Sequence, residues 1–312
     1  MNRRAFTKMA GLGAMAMYSM PALAFDSGRI PLGLCNHSLR DMRLSTRQLL
    51  DFAIDHKLDS VLLNTFQPFE SLETAHLSGL RNHARENGIS IYIGVGSISE
   101  NSTSFSTAYG SAEELVLEGI RVARELGSPI VGCRIGTEED RYIDGGIETH
   151  MEAVIRVMKS VGEQALDAGV KFAFENHCGD LRSGELLNLI DETGTDICGA
   201  LFDPANALWA MENPMQALNV LGSTIICTSV RDVAIWESED GAIPFLAPGF
   251  WKGYPDLTAS DFLEFLKLVK EGSPLKIELP PAGITQREFD IELQQSELLQ
   301  SIEFLREHCN IN

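Results

Sequence analysis

Positive charge is scarce in this chain: 25 Lys and Arg stand against 44 Asp and Glu in 312 residues, a formal net charge of −19. Nucleic acid is therefore a poor partner, because phosphate binding draws on a basic footprint that this balance does not supply. No C-x-x-C occurs, and the six cysteines (Cys35, Cys133, Cys178, Cys198, Cys227 and Cys309) are widely spaced, most of them in or beside apolar runs. They read as buried free thiols rather than a disulfide framework. Linkers, low-complexity tracts and composition breaks are missing too, so nothing marks a second domain. What is plentiful is apolar residue, at 44%. A chain of this length and content buries enough surface to offset its ordering entropy, which excludes disorder.

The first 24 residues place Arg3, Arg4 and Lys8 ahead of an apolar run that closes on Ala22-Leu23-Ala24, the small-x-small pattern read by signal peptidase. Gly11–Ala24 is too short to span about 30 Å of hydrocarbon, so an export signal is expected rather than a stable membrane anchor. The paired arginines and Ala5-Phe6-Thr7-Lys8 resemble the twin-arginine motif, which implies a twin-arginine translocase as partner during export and a periplasmic location. A mature chain beginning near Phe25 keeps 22 basic and 44 acidic residues, a net charge of −22.

From residue 30 onward one theme repeats: a short run rich in Val, Ile and Leu, a polar turn, then an amphipathic stretch of helical period. The strand candidates are Ile30–Cys35, Ser60–Leu63, Ile89–Val95, Ile130–Ile135, Val170–Glu175, Ile197–Phe202, Thr224–Val230 and Leu275–Leu279. Helices are expected at Thr46–His56, Leu72–Asn87, Ala112–Leu126, Glu148–Ala168, Gly184–Glu192, Pro214–Leu221, Ser260–Glu271 and Phe289–His308. Strict alternation with near-continuous apolar strands indicates a parallel sheet covered by its crossover helices. Eight units in 288 mature residues give 36 per unit, the length of a (β/α)8 TIM barrel. A doubly wound sheet would want a Gly-rich turn after its first strand, and Cys35-Asn36-His37-Ser38 has no glycine. One connection is over-long, Asp232–Asp256, with Trp236, Phe250, Trp251, Lys252 and Tyr254; it is expected to act as a lid.

In a barrel the reactive groups sit at the C-terminal strand ends. Strand five ends in Glu175-Asn176-His177, strand six in Asp203-Pro204-Ala205-Asn206, strand seven in Ser229-Val230-Arg231-Asp232, and strand eight in Ile277-Glu278. Glu175, Asp203 and Glu278 in one mouth would repel one another unless a cation or bound protons compensate. A divalent metal is the economical answer, Mn²⁺ or Mg²⁺ ahead of Co²⁺ or Zn²⁺ because the donors are oxygens. The alternative is that each acid caps the next helix or pairs with Arg134 or Arg231.

These residues, taken with the whole mature chain, resemble the xylose isomerase-like TIM-barrel superfamily, which includes sugar isomerases and epimerases, inosose dehydratase and endonuclease IV. The resemblance implies a four-ligand metal site of which Glu175, Asp203 and Glu278 match three positions. The family histidine on strand seven is replaced by Ser229, which should weaken metal binding unless water or another side chain completes the shell. His177 is the candidate, two residues past Glu175; it serves either as that ligand or as a hydrogen-bonding group of the substrate pocket. His37 either orients a substrate hydroxyl or is structural. Asn206 and Trp251 are further candidate substrate contacts, and Trp209, Trp236, Phe250 and Tyr254 offer faces to a sugar ring. Of the cations Arg134, Arg231 and Lys252, one should pair with an acidic substrate, although Arg231 also stands ready to neutralise Asp232 or Asp203.

By the same resemblance Glu175 and Glu278 would exchange a proton on opposite faces of a carbon beside a carbonyl, with a nearby cation stabilising the enediolate. Three readings follow: an isomerase or epimerase of free or oxidised sugars, a lyase (dehydratase or decarboxylase) on a keto-sugar or keto-acid, and a sugar-binding barrel that has lost its metal. An endonuclease is disfavoured by the charge. A homo-oligomer stays open.

Overall fold

The computed structural model describes residues 31–177 and 180–230, with 233–237, 244–248, 275–277 and 291–308. The strands are β1 (Leu32–Cys35), β2 (Ser60–Leu63), β3 (Ser90–Ser97), β4 (Ile130–Arg134), β5 (Lys171–Glu175), β6 (Cys198–Phe202), β7 (Ile225–Thr228), β8 (Val233–Glu237), β9 (Pro244–Pro248) and β10 (Leu275–Ile277). Eight of them form one parallel sheet in the order β10-β1-β2-β3-β4-β5-β6-β7. The last strand pairs with the first, Leu32 opposite Leu275, and Cα atoms of β10 also come within 8 Å of β7. The sheet therefore curls into the expected barrel. The helices are α1 (Thr46–Asp55), α2 (Thr74–Glu86), α3 (Ala112–Leu126), α4 (Gly146–Ala168), α5 (Ser183–Thr193), α6 (Pro204–Trp209), α7 (Pro214–Leu221) and α8 (Ile291–His308).

Local signals explain the ends. Ser45 and Ser111 form capping boxes with Gln48 and Glu114 at the starts of α1 and α3, and each such cap stabilises by about 1 kcal/mol. Gly127 and Gly169 close α3 and α4 in the left-handed conformation. Leu115, Val116, Ile120 and Ala123 recur at helical spacing on the buried side of α3. A Cβ at Gly119 would lie 2.8 Å from Val95 Cγ1 and 3.2 Å from Val131 Cγ1, so its absence lets α3 settle onto β3 and β4.

Side-chain alternation divides the core into two layers. Phe172, Phe174 and Phe202 are fully buried in the large outer layer, together with the inner faces of the helices. The inner layer takes one residue from each of seven strands: Cys35, Leu62, Tyr92, Ile130, Ala173, Leu201 and Cys227. Burial pushes the Tyr92 hydroxyl up to about 12, as it does the Cys198 thiol. Cys35, Cys133, Cys198 and Cys227 are buried free thiols as anticipated; Cys178 and Cys309 lie outside the described residues.

Two elements differ from the sequence reading. Helix α6 is not among the helices expected from sequence, and the over-long connection holds an antiparallel pair, β8 with β9, Trp236 opposite Phe245. The helix anticipated at Ser260–Glu271 lies outside the described residues. Among the described residues, no helix is long and apolar enough to cross a membrane.

Candidate functional site

The inner layer fixes what faces the barrel mouth. Two residues beyond Ala173 and Leu201 stand Glu175 and Asp203, Ser229 lies two beyond Cys227, and Arg134 lies four beyond Ile130. A strand repeats its facing every two residues, so these four polar groups carry the inward face to the C-terminal ends of β4 to β7. Glu175 and Arg134 are half-buried, while Asp203 and Ser229 are buried.

Each group has a specific tether. Asp203 is the N-cap of α6: its Oδ1 accepts from the amides of Ala205 at 2.8 Å and Asn206 at 3.0 Å, with Pro204 in the first turn. Pro tolerates that position because its missing N–H would have no helical partner there. Asn176 clamps the same backbone from the neighbouring strand. Its Nδ2 donates to Asp203 O at 2.8 Å and its Oδ1 accepts from Asp203 N at 2.8 Å. Asn206 reaches back from α6, and its Nδ2 donates to Glu175 Oε1 at 3.1 Å. The ends of β5 and β6 are thus held together by two asparagines. Ser229 N–H donates to Phe202 O at 2.9 Å, which joins β7 to the group.

On the β4 side the loops are cross-linked. His177 Nδ1 lies 3.0 Å from Gly136 O, so the ring donates there, which in the neutral tautomer leaves the lone pair on Nε2. Asp180, fully buried, accepts from Gly136 N at 3.1 Å and His177 N at 3.0 Å. Burial pushes its carboxyl up to about 7, although those amides, the Leu181 amide and the Arg134 charge oppose the rise. Arg141 adds a two-pronged pair to Glu185, both contacts 2.8 Å, and donates to Asp180 O. A Cβ at Gly136 would lie 1.9 Å from Asp140 Oδ2 and 2.5 Å from Ser102 Oγ, so a side chain there would displace that hydrogen-bonded pair. On the far side of the mouth, His37 is half-buried in the 3-10 turn Asn36–Met42 that follows β1, and Asn36 Oδ1 accepts from Asn64 N at 2.8 Å.

The structure therefore brings Glu175, Asp203, Asn206 and Ser229 together, with Arg134 and His177 on the β4 flank. Glu278, Arg231, Trp251 and Lys252 lie outside the described residues, and Trp209 closes α6 half-buried. Asn176 and Asp180 were not among the residues singled out by sequence. Asn176 sits inside the strand-end triplet Glu175-Asn176-His177, and Asp180 follows His177 by three residues, the spacing at which a side chain reaches back to a backbone N–H.

Glu175 and Asp203 offer oxygen donors that suit a hard divalent cation. Among the described residues no three His, Cys, Asp or Glu side chains gather as a metal cluster, so His177 does not make a third with these two. The carbonyl of Gly136 holds its ring on the β4 side.

A model of the xylose isomerase-like TIM barrel family matches residues 50–290, well over half of the chain. One curated relative, the uncharacterized protein YihM of Escherichia coli K12, is 25% identical over 208 residues, which is 65% of this chain and 58% of that protein. Solved structures of the same shape include a D-psicose 3-epimerase determined with D-fructose (TM-score 0.67, 12% identity, covering 89% of this chain and 99% of that one). A second is the IolI protein with a bound zinc atom (TM-score 0.62, 16% identity, 89% and 99%). A third is the probable 3-DHS dehydratase AsbF of Bacillus anthracis (TM-score 0.58, 12% identity, 86% and 98%). At these identities the likeness establishes the fold alone.

Proposed function

For a chain that belongs to the xylose isomerase-like TIM barrel family, we propose metal-dependent isomerisation or epimerisation of a sugar or keto-sugar by proton transfer at the carbon beside a carbonyl. The observation that supports this best is the pair of carboxylates, Glu175 and Asp203, facing one mouth from adjacent strand ends and linked through Asn206. Glu175 and Glu278 are the proton-exchanging groups in this reading. One removes the proton, and the other delivers it to the opposite face of the same carbon or to the neighbouring carbon. Asn206 orients the Glu175 carboxylate, and Asn176 fixes the backbone that presents Asp203. A divalent cation held by Glu175, Asp203 and Glu278 would supply positive charge beside the carbonyl oxygen as negative charge develops there. Ser229, buried at the family histidine position, offers a neutral hydroxyl in place of an imidazole and should give a weaker grip on the metal.

A lyase on a keto-sugar or keto-acid is the second reading. It is supported by His177 on the β4 flank of the mouth, whose tautomer is fixed by its Nδ1 bond to Gly136 O and which is a candidate acid–base group there. One screen separates them: ketoses, 3-keto-glycosides and keto-acids are incubated with Mn²⁺ in deuterated water and followed by mass spectrometry. Solvent deuterium in a product of unchanged composition supports the isomerase, and loss of water or carbon dioxide supports the lyase. No exchange, no mass change and no bound metal by elemental analysis would leave only a sugar-binding barrel. We place this chemistry outside the cytoplasm on the strength of Arg3, Arg4 and Ala22-Leu23-Ala24, which lie outside the described residues. N-terminal sequencing of the exported protein should then begin near Phe25.

A further inference from the structure

We propose that the substrate is a sugar acid whose carboxylate is received by Arg134. The inference rests on the sugar-transforming reading above and narrows it to an anionic substrate class. Arg134 ends β4 on the inward face, one strand away from Glu175 and level with Ser97 of β3. It is half-buried, and its Nε is buried with no hydrogen-bond partner among the described residues. The other arginines tethered near the site are engaged: Arg141 grips Glu185, and Arg182 reaches Ala210 O. Among the described residues, Arg134 forms no ion pair within 4 Å. Asp180, which feels its charge, spends its oxygens on the amides of Gly136, His177 and Leu181.

A buried guanidinium nitrogen without a partner is costly, and a protein that keeps one at a pocket rim gains the missing bond when ligand arrives. Nε and its neighbouring Nη form a planar fork that matches the two oxygens of a carboxylate. A neutral hydroxyl satisfies only one prong. A phosphate dianion would enter a mouth already holding Glu175 and Asp203 with twice the charge, so a single carboxylate fits better. The backbone is set for the task, since Arg134 O accepts from Ile98 N and Gly136, two residues on, is pinned by Asp180 and His177.

The test is a titration of the full-length protein followed through the Arg134 Nε–H resonance by NMR, with R134K assigning the signal by its loss. The probes are D-glucuronate, D-galacturonate and D-gluconate, the neutral sugars D-glucose and D-galactose, and D-glucose 6-phosphate. Expected are a saturable shift with at least one acid, none with the neutral sugars at the same concentration, and roughly tenfold weaker binding of that acid by R134K, which keeps the charge and loses the fork. R134Q should abolish the preference for acid over neutral sugar, with a thermal melt confirming that it folds. No shift with any acid, an equal shift with neutral sugars, or a shift confined to the phosphate would each overturn the assignment. The two readings fail separately. Epimerised neutral ketose with an unmoved Arg134 signal sinks this inference alone, whereas an acid-dependent shift without any proton exchange sinks the isomerase and leaves the carboxylate site standing.

Discussion

The barrel interior and the barrel mouth are lined by the same strands, yet they obey opposite chemistry. At one level sit Ala173, Leu201 and Cys227; two residues further along the same strands sit Glu175, Asp203 and Ser229. The lower level holds the strands together by apolar contact and needs no orientation finer than packing. The upper level holds itself together by directed bonds: Asn176 to Asp203, Asn206 to Glu175, and Asp180 to Gly136. About 7 Å of chain separates stability from chemistry, given the rise of a strand.

That division can be broken from either side. The largest effect is expected at Glu175: E175Q should lower proton exchange by roughly 10²–10⁴-fold, as loss of a general base does, with an unfolding free energy close to the parent's. Isotope exchange and urea unfolding on the same sample check both halves. L201A is the mirror experiment, an inner-layer cavity expected to cost about 2–5 kcal/mol in urea unfolding while exchange per folded molecule survives. A large loss of catalysis in L201A would show that the layers are not separate.

Asp180 sharpens the comparison because it is a charge-bearing group buried like an apolar one. Its carboxyl is raised to about 7 in the folded protein, above its unfolded value of about 3.9, so the protonated form favours folding. The stabilisation is fully present below about pH 4 and is lost as pH rises to about 7. Between pH 5 and 8 the native protein should therefore lose about 2–3 kcal/mol relative to D180N, measured as the difference in unfolding free energy at the two pH values. A difference that does not change with pH would mean that the Gly136, His177 and Leu181 amides outweigh desolvation. The smallest effect is expected at the start of α3: S111A should cost about 1 kcal/mol by removing the cap and box of that helix, with exchange untouched.

Periodicity made the barrel readable. The strands and long helices follow local patterns, and α3 and α7 have the bounds expected of them. Helix α6 escaped because six residues are too few for a helical period, although Asp203-Pro204 is an N-cap followed by a favoured first-turn residue. No local pattern announces the β8–β9 pair: its strands lie within one long connection, and six residues separate Glu237 from its partner Pro244. At the site, Glu175 and Asp203 were legible as acids closing apolar runs. The bonds that position the mouth were not: Gly136 and Asp180 are 44 residues apart, as are Arg141 and Glu185, and no local pattern encodes such a meeting. Nor does the sequence show that Asp203 both caps a helix and stands at the mouth.

That double duty shapes how the lineage can drift. Replacing Asp203 with most residues strips α6 of its cap along with the acid, and selection on foldedness would remove such variants before their chemistry mattered. Asparagine is the exception, since its carbonyl oxygen caps a helix as well as a carboxylate does while carrying no charge. A descendant abandoning catalysis for simple sugar binding would therefore most readily pass through the substitution Asp203→Asn, making this codon the place to look for the trait's loss.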